Sequence, residues 1–212
     1  MVKPNHLVCF MQDRAKRTRE QILEAASVEF SQKGLHGARV DEIAKRAGVN
    51  KERLYAYFGD KEQLFRETLR ASIAEIIAEE NQLLEQLASD PTRMTEAISE
   101  HYLSFLERHP DFWRLLAWEN LSGGAEAEAL SGIRNETFEA MRQLYKQRQQ
   151  LGIFQKKLSF ETYIFTLSAV SFFLFSNRLT MQRTLQLDLT TPAARKRLMT
   201  EVTELIRHGQ IP

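Results

Sequence analysis

The 212-residue chain is 43% apolar and 27% charged, with a formal net charge of +1, which is enough apolar mass to fill one or two ordinary cores. Its single cysteine, Cys9, excludes an intrachain disulfide and suits a reducing compartment, so a cytoplasmic protein is expected. Nearly every segment has helical period and none alternates as a strand does, so the expected fold class is all-α, with about nine helices.

The opening residues, MVKPNHLVCFMQDR, lack a long apolar run followed by a small-residue cleavage site, so no signal peptide is expected. Met11 offers an alternative start, which would make residues 1–10 a disordered leader. A first helix is expected from about Lys16 to Lys33, with Ile22, Leu23, Ala26 and Phe30 on one face and Gly34 as its C-terminal stop. A short second helix covers Val40 to Ala47 and is broken by Gly48. Asn50 is a suitable N-cap for a third, Lys51 to Phe58, broken by Gly59. Asp60, with Gln63 three residues later, resembles a capping box for a fourth. That helix carries Leu64, Phe65, Leu69, Ile73, Ile76 and Ile77 on its apolar stripe and extends to about Ala88. Asp90-Pro91 interrupts the chain. The fifth helix spans about Thr92 to Arg108, the sixth Phe112 to Leu121, and the seventh about Glu126 to Gln150. Ser159 caps an eighth, expected to reach about Leu185. Pro192 opens the ninth, and Gly209 closes it. The longest apolar stretch, Ile164 to Phe175, is twelve residues and too short to span a bilayer.

The informative stretch is VDEIAKRAGVNKERLYAYFGDK, from Val40 to Lys61. A short helix, a glycine, a capping polar residue and a second short helix form the helix-turn-helix pattern. Ala44 and Ala47 are small enough for the two helices to approach closely, and Gly48 permits the sharp turn. Val49 and Leu54 plug the interhelical space, while Ile43 and Phe58 anchor the pair to the first helix. Lys51, Glu52, Arg53, Tyr55, Ala56 and Tyr57 are then left near the outward end of the helix expected to enter a major groove. Charge agrees in sign: residues 1–66 hold 13 Lys/Arg against 9 Asp/Glu, and the remainder 16 against 19. A mildly basic head on a mildly acidic body suits a polyanion at the head, although so small a split also arises by chance.

The segments TREQILEAASVEFSQKG and VDEIAKRAGVNKERLYAYFGDKEQLF resemble the TetR family of bacterial regulators, over roughly Thr18 to Phe65. The AGV turn, the LYxxF core and the DKEQLF that follows carry the resemblance together. It implies an N-terminal three-helix DNA-binding domain, residues 14–60, and a helical ligand-binding and dimerisation domain, residues 61–212. Two departures bear on DNA contacts: Arg39 stands where the family has a small hydroxyl cap, and Glu52 where a glycine or small residue is common.

The expected DNA-binding residues are Arg39, Asn50, Lys51, Arg53, Tyr55, Tyr57 and Lys61. Arg53 and Lys51 suit base edges, against a plain solvated face. Arg39 suits phosphate or base, and Tyr55 and Tyr57 match family positions that touch phosphate or a thymine methyl. Lys61, at a helix N-terminus, suits phosphate. Arg14, Lys16, Arg17 and Arg19 read equally as a basic arm or a frayed terminus.

The body is rich in aromatics, most of them core. The resemblance implies that several line an effector cavity, for which Phe112, Trp113, Leu116, Glu119, Phe138, Met141, Tyr145, Phe172 and Phe173 are the candidates. Their composition points to an apolar or aromatic effector. Glu119, within LLAWENL, suits a cationic ligand, a pairing with Arg178, or a backbone cap. His101 and His109 lack a third partner for a metal, and no metal or cofactor is expected. The run YIFTLSAVSFFLF is apolar on more than one face. With the resemblance, it implies a homodimer through helices at about 159–185 and 192–208, bound to a pseudo-palindromic double-stranded operator and to no membrane. Release by the effector is expected to act through the fourth helix, which belongs to both head and body. No G-x-S-x-G, P-loop, H-E-x-x-H or Cys-His arrangement supports an enzyme. The alternatives left open are a DNA-binding protein without an effector and a helical enzyme.

Overall fold

The computed structural model describes residues 6–90 and 92–210, without the side chains of residues 6–12, 89, 129 and 210. Ten α-helices follow in order: α1 His6–Gly37, α2 Val40–Arg46, α3 Lys51–Phe58, α4 Lys61–Ser89, α5 Met94–Arg108, α6 Pro110–Leu121, α7 Asn135–Gln150, α8 Phe160–Ser176, α9 Arg178–Thr184 and α10 Pro192–Gln210. A 3₁₀ turn, Ala127–Leu130, precedes α7, and no strand occurs among the described residues. The leader expected at residues 1–10 lies partly outside the described residues, and from His6 onward the chain is helical.

The chain forms two compact units. One runs to Ile73 and includes residues 114–130; the other comprises residues 74–113 and those from Ser131 onward. The boundary falls inside α4, so that helix supplies residues to both.

In the first unit, Ile22, Ala26 and Phe30 of α1 share one core with Ile43 and Ala44 of α2, Leu54 and Phe58 of α3, Leu64, Phe65 and Leu69 of α4, and Leu115 of α6. Phe30 meets Phe65 edge-on at 5.0 Å, the arrangement favoured by ring quadrupoles. The expected stop at Gly34 appears as a break inside α1, with φ 67° and ψ 178°, a conformation open essentially only to glycine. Trp118 of α6 fills the space a side chain would occupy there: a Cβ on Gly34 would stand 2.8 Å from its ring. The Trp118 indole N–H donates to the Ser31 carbonyl at 3.2 Å.

In the second unit α5 packs on α8 and α10, and α7 on α8. Tyr145 touches the rings of Phe154, Phe160 and Tyr163. The buried Arg148 guanidinium donates to the Leu87 carbonyl at 2.7 Å and so satisfies the C-terminal end of α4. Arg195 bonds Glu107 and the carbonyls of Leu189 and Thr190, tying the start of α10 to α5.

The first helix begins at His6, not about Lys16, and the sixth at Pro110, not Phe112; three further boundaries differ from expectation for local reasons. The apolar run at about 159–185 is not one helix: it breaks at Asn177 into α8 and α9, bent by 79°. Ser176 Oγ bonds back to the Phe172 carbonyl and receives the Asn177 side-chain amide, and Asn177 leaves helical geometry at φ −114°, ψ 8°. The seventh helix begins at Asn135, not Glu126, because Gly132 takes a left-handed φ of 72°. The fifth begins at Met94, not Thr92, because Thr92 folds back onto Asp90 Oδ1 through both its N–H and its hydroxyl. Among the described residues, no single helix is long and apolar enough to cross a membrane.

Candidate nucleic-acid interface

The turn between α2 and α3 is built from local bonds. Ala47 N–H donates to Ile43 O and Val49 N–H to Ala44 O, while Gly48 turns the chain at φ 67°. Asn50 Oδ1 accepts the Arg53 N–H at 2.9 Å, capping α3. Asp60 Oδ1 accepts the Gln63 N–H at 2.6 Å, doing the same for α4. With Leu54 and Phe58 buried beneath, α3 cannot roll without exposing core, and Lys51, Arg53 and Tyr55 remain exposed on its other side.

The seven candidate residues are not equally free. Arg53 and Arg39 are exposed, and Asn50 is engaged as the cap. Lys51 Nζ pairs with Asp41 at 3.0 Å, and that bond raises its pKa. Tyr57 is half-buried and packs against the core, whereas Tyr55 is the more open of the two. Lys61 donates to the His36 carbonyl at 3.3 Å. Arg39 provides no side-chain cap for α2; its backbone N–H instead goes to Glu29 Oε1 at 3.2 Å, and Glu29 also accepts from Lys33. Of the four basic residues before α1's apolar stripe, Arg19 pairs with Glu67 and lies over the Phe58 ring at 5.3 Å, while Arg14, Lys16 and Arg17 are exposed on α1.

The nine body candidates fall in different places. Leu116 and Glu119 belong to the first unit, Leu116 against its core and Glu119 with Oε1 accepting the Glu126 N–H at 2.6 Å. Of Glu119's three expected partners, the structure supplies the backbone one. Phe112 packs edge-on with Phe105, Met141 and Tyr145 are buried, and Phe138 lies beneath the Arg134 guanidinium. Trp113 and Phe172 are half-buried and Phe173 is 49% exposed.

Sequence reasoning passed over Glu80. It is completely buried on α4, paired with Arg134; burial pushes its carboxyl up and the guanidinium holds it back. A signal was present, since Glu80 stands between Ile76 and Leu83 at the spacing of the helix's apolar stripe, where a charge needs a buried partner.

Residues 22–68 match the family described as bacterial regulatory proteins, tetR family, and residues 91–206 match a tetracyclin repressor-like C-terminal domain. A transcriptional repressor of Pseudomonas putida, NicS, is 31% identical over 199 residues, which cover 92% of this chain and 93% of that protein. The transcriptional activator FasR of Mycolicibacterium smegmatis is 35% identical over 98 residues, 46% of this chain and 44% of its own. A TetR-family transcription regulator from Marinobacter aquaeolei superposes with a TM-score of 0.71 at 18% identity, covering 94% of this chain and 98% of its own.

Proposed function

We propose, on the premise that this chain belongs to the tetR family of bacterial regulatory proteins, that it is a homodimeric repressor released from a pseudo-palindromic operator by a small molecule. It is a DNA-binding transcription regulator, in a family of regulators and not of enzymes. The observation that carries this is α3: capped by Asn50, fixed from beneath by Leu54 and Phe58, and open along Lys51, Arg53 and Tyr55. In that role Arg53 reads a base, Lys51 leaves Asp41 for the DNA, and Arg39, Tyr55, Tyr57 and Lys61 hold backbone. Repression as the sign of regulation is supported by the full-length likeness to NicS. Working on DNA places the protein in the cytoplasm.

Dimerisation uses the outer faces of α8 and α10. Phe165 is 72% exposed, Phe173 49% and Leu205 73%, apolar side chains that an isolated chain leaves in water. An obligate interface over these helices buries on the order of 2,000 Å² in total. Two heads related by a two-fold axis then read half-sites one helical turn, or a multiple of it, apart. The test is selection of genomic fragments by the full chain, followed by sedimentation. Recovery of a two-fold site by a dimer is expected. A monomer at micromolar concentration, or fragments with no shared sequence, would overturn the proposal.

A further inference from the structure

The interior of the second unit contains polar atoms that nothing satisfies. Glu80 takes the Arg134 guanidinium on Oε1, and its Oε2 has no partner. Arg134 Nε is unpaired as well. From α5, the Tyr102 hydroxyl lies among Glu80, Arg134 and Ser168 of α8 without completing a well-formed hydrogen bond to any of them. The neighbouring His101 presents an unpaired Nε2, and Ser171, a turn beyond Ser168, has a fully buried, unpaired hydroxyl. Buried polar atoms are normally paired, so a cluster from four parts of the chain left open on several atoms needs an explanation, and a ligand provides one.

The two stretches that carry the ion pair also line a cleft of about 570 Å³, through Ile77, Asn81, Ile133, Thr137 and Ala140 rather than through Glu80 or Arg134 themselves. Arg134 keeps 22% of its side chain accessible while its partner has none, so it is the member an entering molecule meets first.

The chemistry of the occupant follows from what is open. The Glu80–Arg134 pair is already neutral, so a charged ligand would bring an uncompensated charge into the interior. The unmet groups include an acceptor, Glu80 Oε2, and two donors, Arg134 Nε and the Tyr102 hydroxyl. Apolar side chains stand close by, Ile76 and Leu83 flanking Glu80 on the stripe and the Phe138 ring 4.3 Å from the Arg134 guanidinium, while Asn81, Asn135 and Thr137 make the cleft's lining partly polar.

We propose, building on the effector-controlled repressor above, that Glu80, Tyr102 and Arg134 form the polar anchor of the effector site and receive a neutral, apolar-bodied small molecule presenting an N–H donor beside a carbonyl acceptor. A primary amide or lactam edge on a ring has that pattern. The Arg134 Nε and the Tyr102 hydroxyl donate to its carbonyl, and its N–H donates to Glu80 Oε2.

The test titrates the full chain by calorimetry with three probes of one shape: benzamide, benzoate and benzylammonium. Benzamide is expected to bind at least about tenfold more tightly than either ion, and Tyr102→Phe to weaken it by about tenfold, the scale of one lost hydrogen bond in a dry site. Arg134→Lys keeps the charge opposite Glu80 but removes Nε, and is expected to weaken benzamide similarly even if Tyr102→Phe does not fold. Tighter binding of either ion, unchanged benzamide binding in both variants, or no heat from any probe at about 10 mM would overturn the assignment. Operator release is measured separately. Benzamide bound through these residues with no effect on DNA leaves the site standing and rejects effector control. Release of DNA that ignores both variants retains effector control and rejects the site.

Discussion

Arg53 is exposed, and its side chain pairs with nothing among the described residues, while its backbone N–H is held by Asn50. The guanidinium is therefore available for a two-pronged bond to guanine from a backbone that is already fixed. Arg53→Ala is expected to cost roughly 1–3 kcal/mol and to relax preference at one base pair. Lys61 sits at the start of α4 and donates to the His36 carbonyl. Lys61→Ala should weaken every sequence alike and reduce the slope of log affinity against log salt by about one. Fluorescence anisotropy across single-base operator variants at several salt concentrations separates the two outcomes. If Arg53→Ala left sequence preference intact, the base-reading role would pass to another residue of α3.

At the level of elements, the Gly34 break and the Glu29 carboxylate each make a contribution to the head's stability that a single substitution isolates. A Cβ at Gly34 meets the Trp118 ring at 2.8 Å and adds a side chain at φ +67°, so Gly34→Ala should cost about 1–3 kcal/mol, read as a lower denaturation midpoint. Burial pushes the Glu29 carboxyl up, but Lys33 and the Arg39 N–H outweigh it and hold the pKa below its usual 4.5. A carboxylate with a depressed folded pKa stabilises above its unfolded value, and that stabilisation is lost as pH falls through the lower folded one. The melting temperature should therefore decline below about pH 4.5, and Glu29→Gln should flatten that decline while lowering the plateau; an unaltered acid limb would count against it. These elements differ in how far the sequence announces them. The α2–turn–α3 unit is written in contiguous signals: Gly48 for the turn, Asn50 and Asp60 for the caps, Leu54 and Phe58 for the buried side. The break at Asn177 is not, because an unbroken apolar run shows no competing polar bond until Ser176 and Asn177 find each other. Trp118 and Leu116 read as body residues, yet α6 continues from one unit into the other and delivers Leu116 to the head's core and Trp118 to the Gly34 break. Glu80 falls between these cases. Its place on the stripe is legible, but the identity of Arg134 as its partner, 54 residues away, is a tertiary fact.

For the whole molecule, the head and the body share one helix. α4 begins at Lys61 beside the reading helix and runs unbroken to Ser89, with Leu64, Phe65 and Leu69 in the head's core and Glu80, Leu83 and Leu87 buried in the body. A small molecule that favours one packing of the body therefore acts on a helix the head cannot do without. Two heads must enter grooves about 34–36 Å apart at the same time, so displacements of a few ångströms are enough to lose one of them. The effector needs only differential affinity. A 100-fold preference for the released state is worth roughly 2.7 kcal/mol, sufficient to empty an operator held near half occupancy. Thermodynamic linkage makes the effect reciprocal: operator DNA must weaken effector binding by the same factor by which effector weakens DNA binding. Titrating the dimer with its effector in the absence and presence of saturating operator measures that factor directly, and the two ratios should agree. Because Arg134→Lys keeps a cation opposite Glu80 and removes only the Nε offered to the ligand, it should lower effector affinity while leaving operator affinity without effector unchanged. Equal effector affinities with and without operator would mean that α4 transmits nothing, and the protein would then hold DNA without effector control.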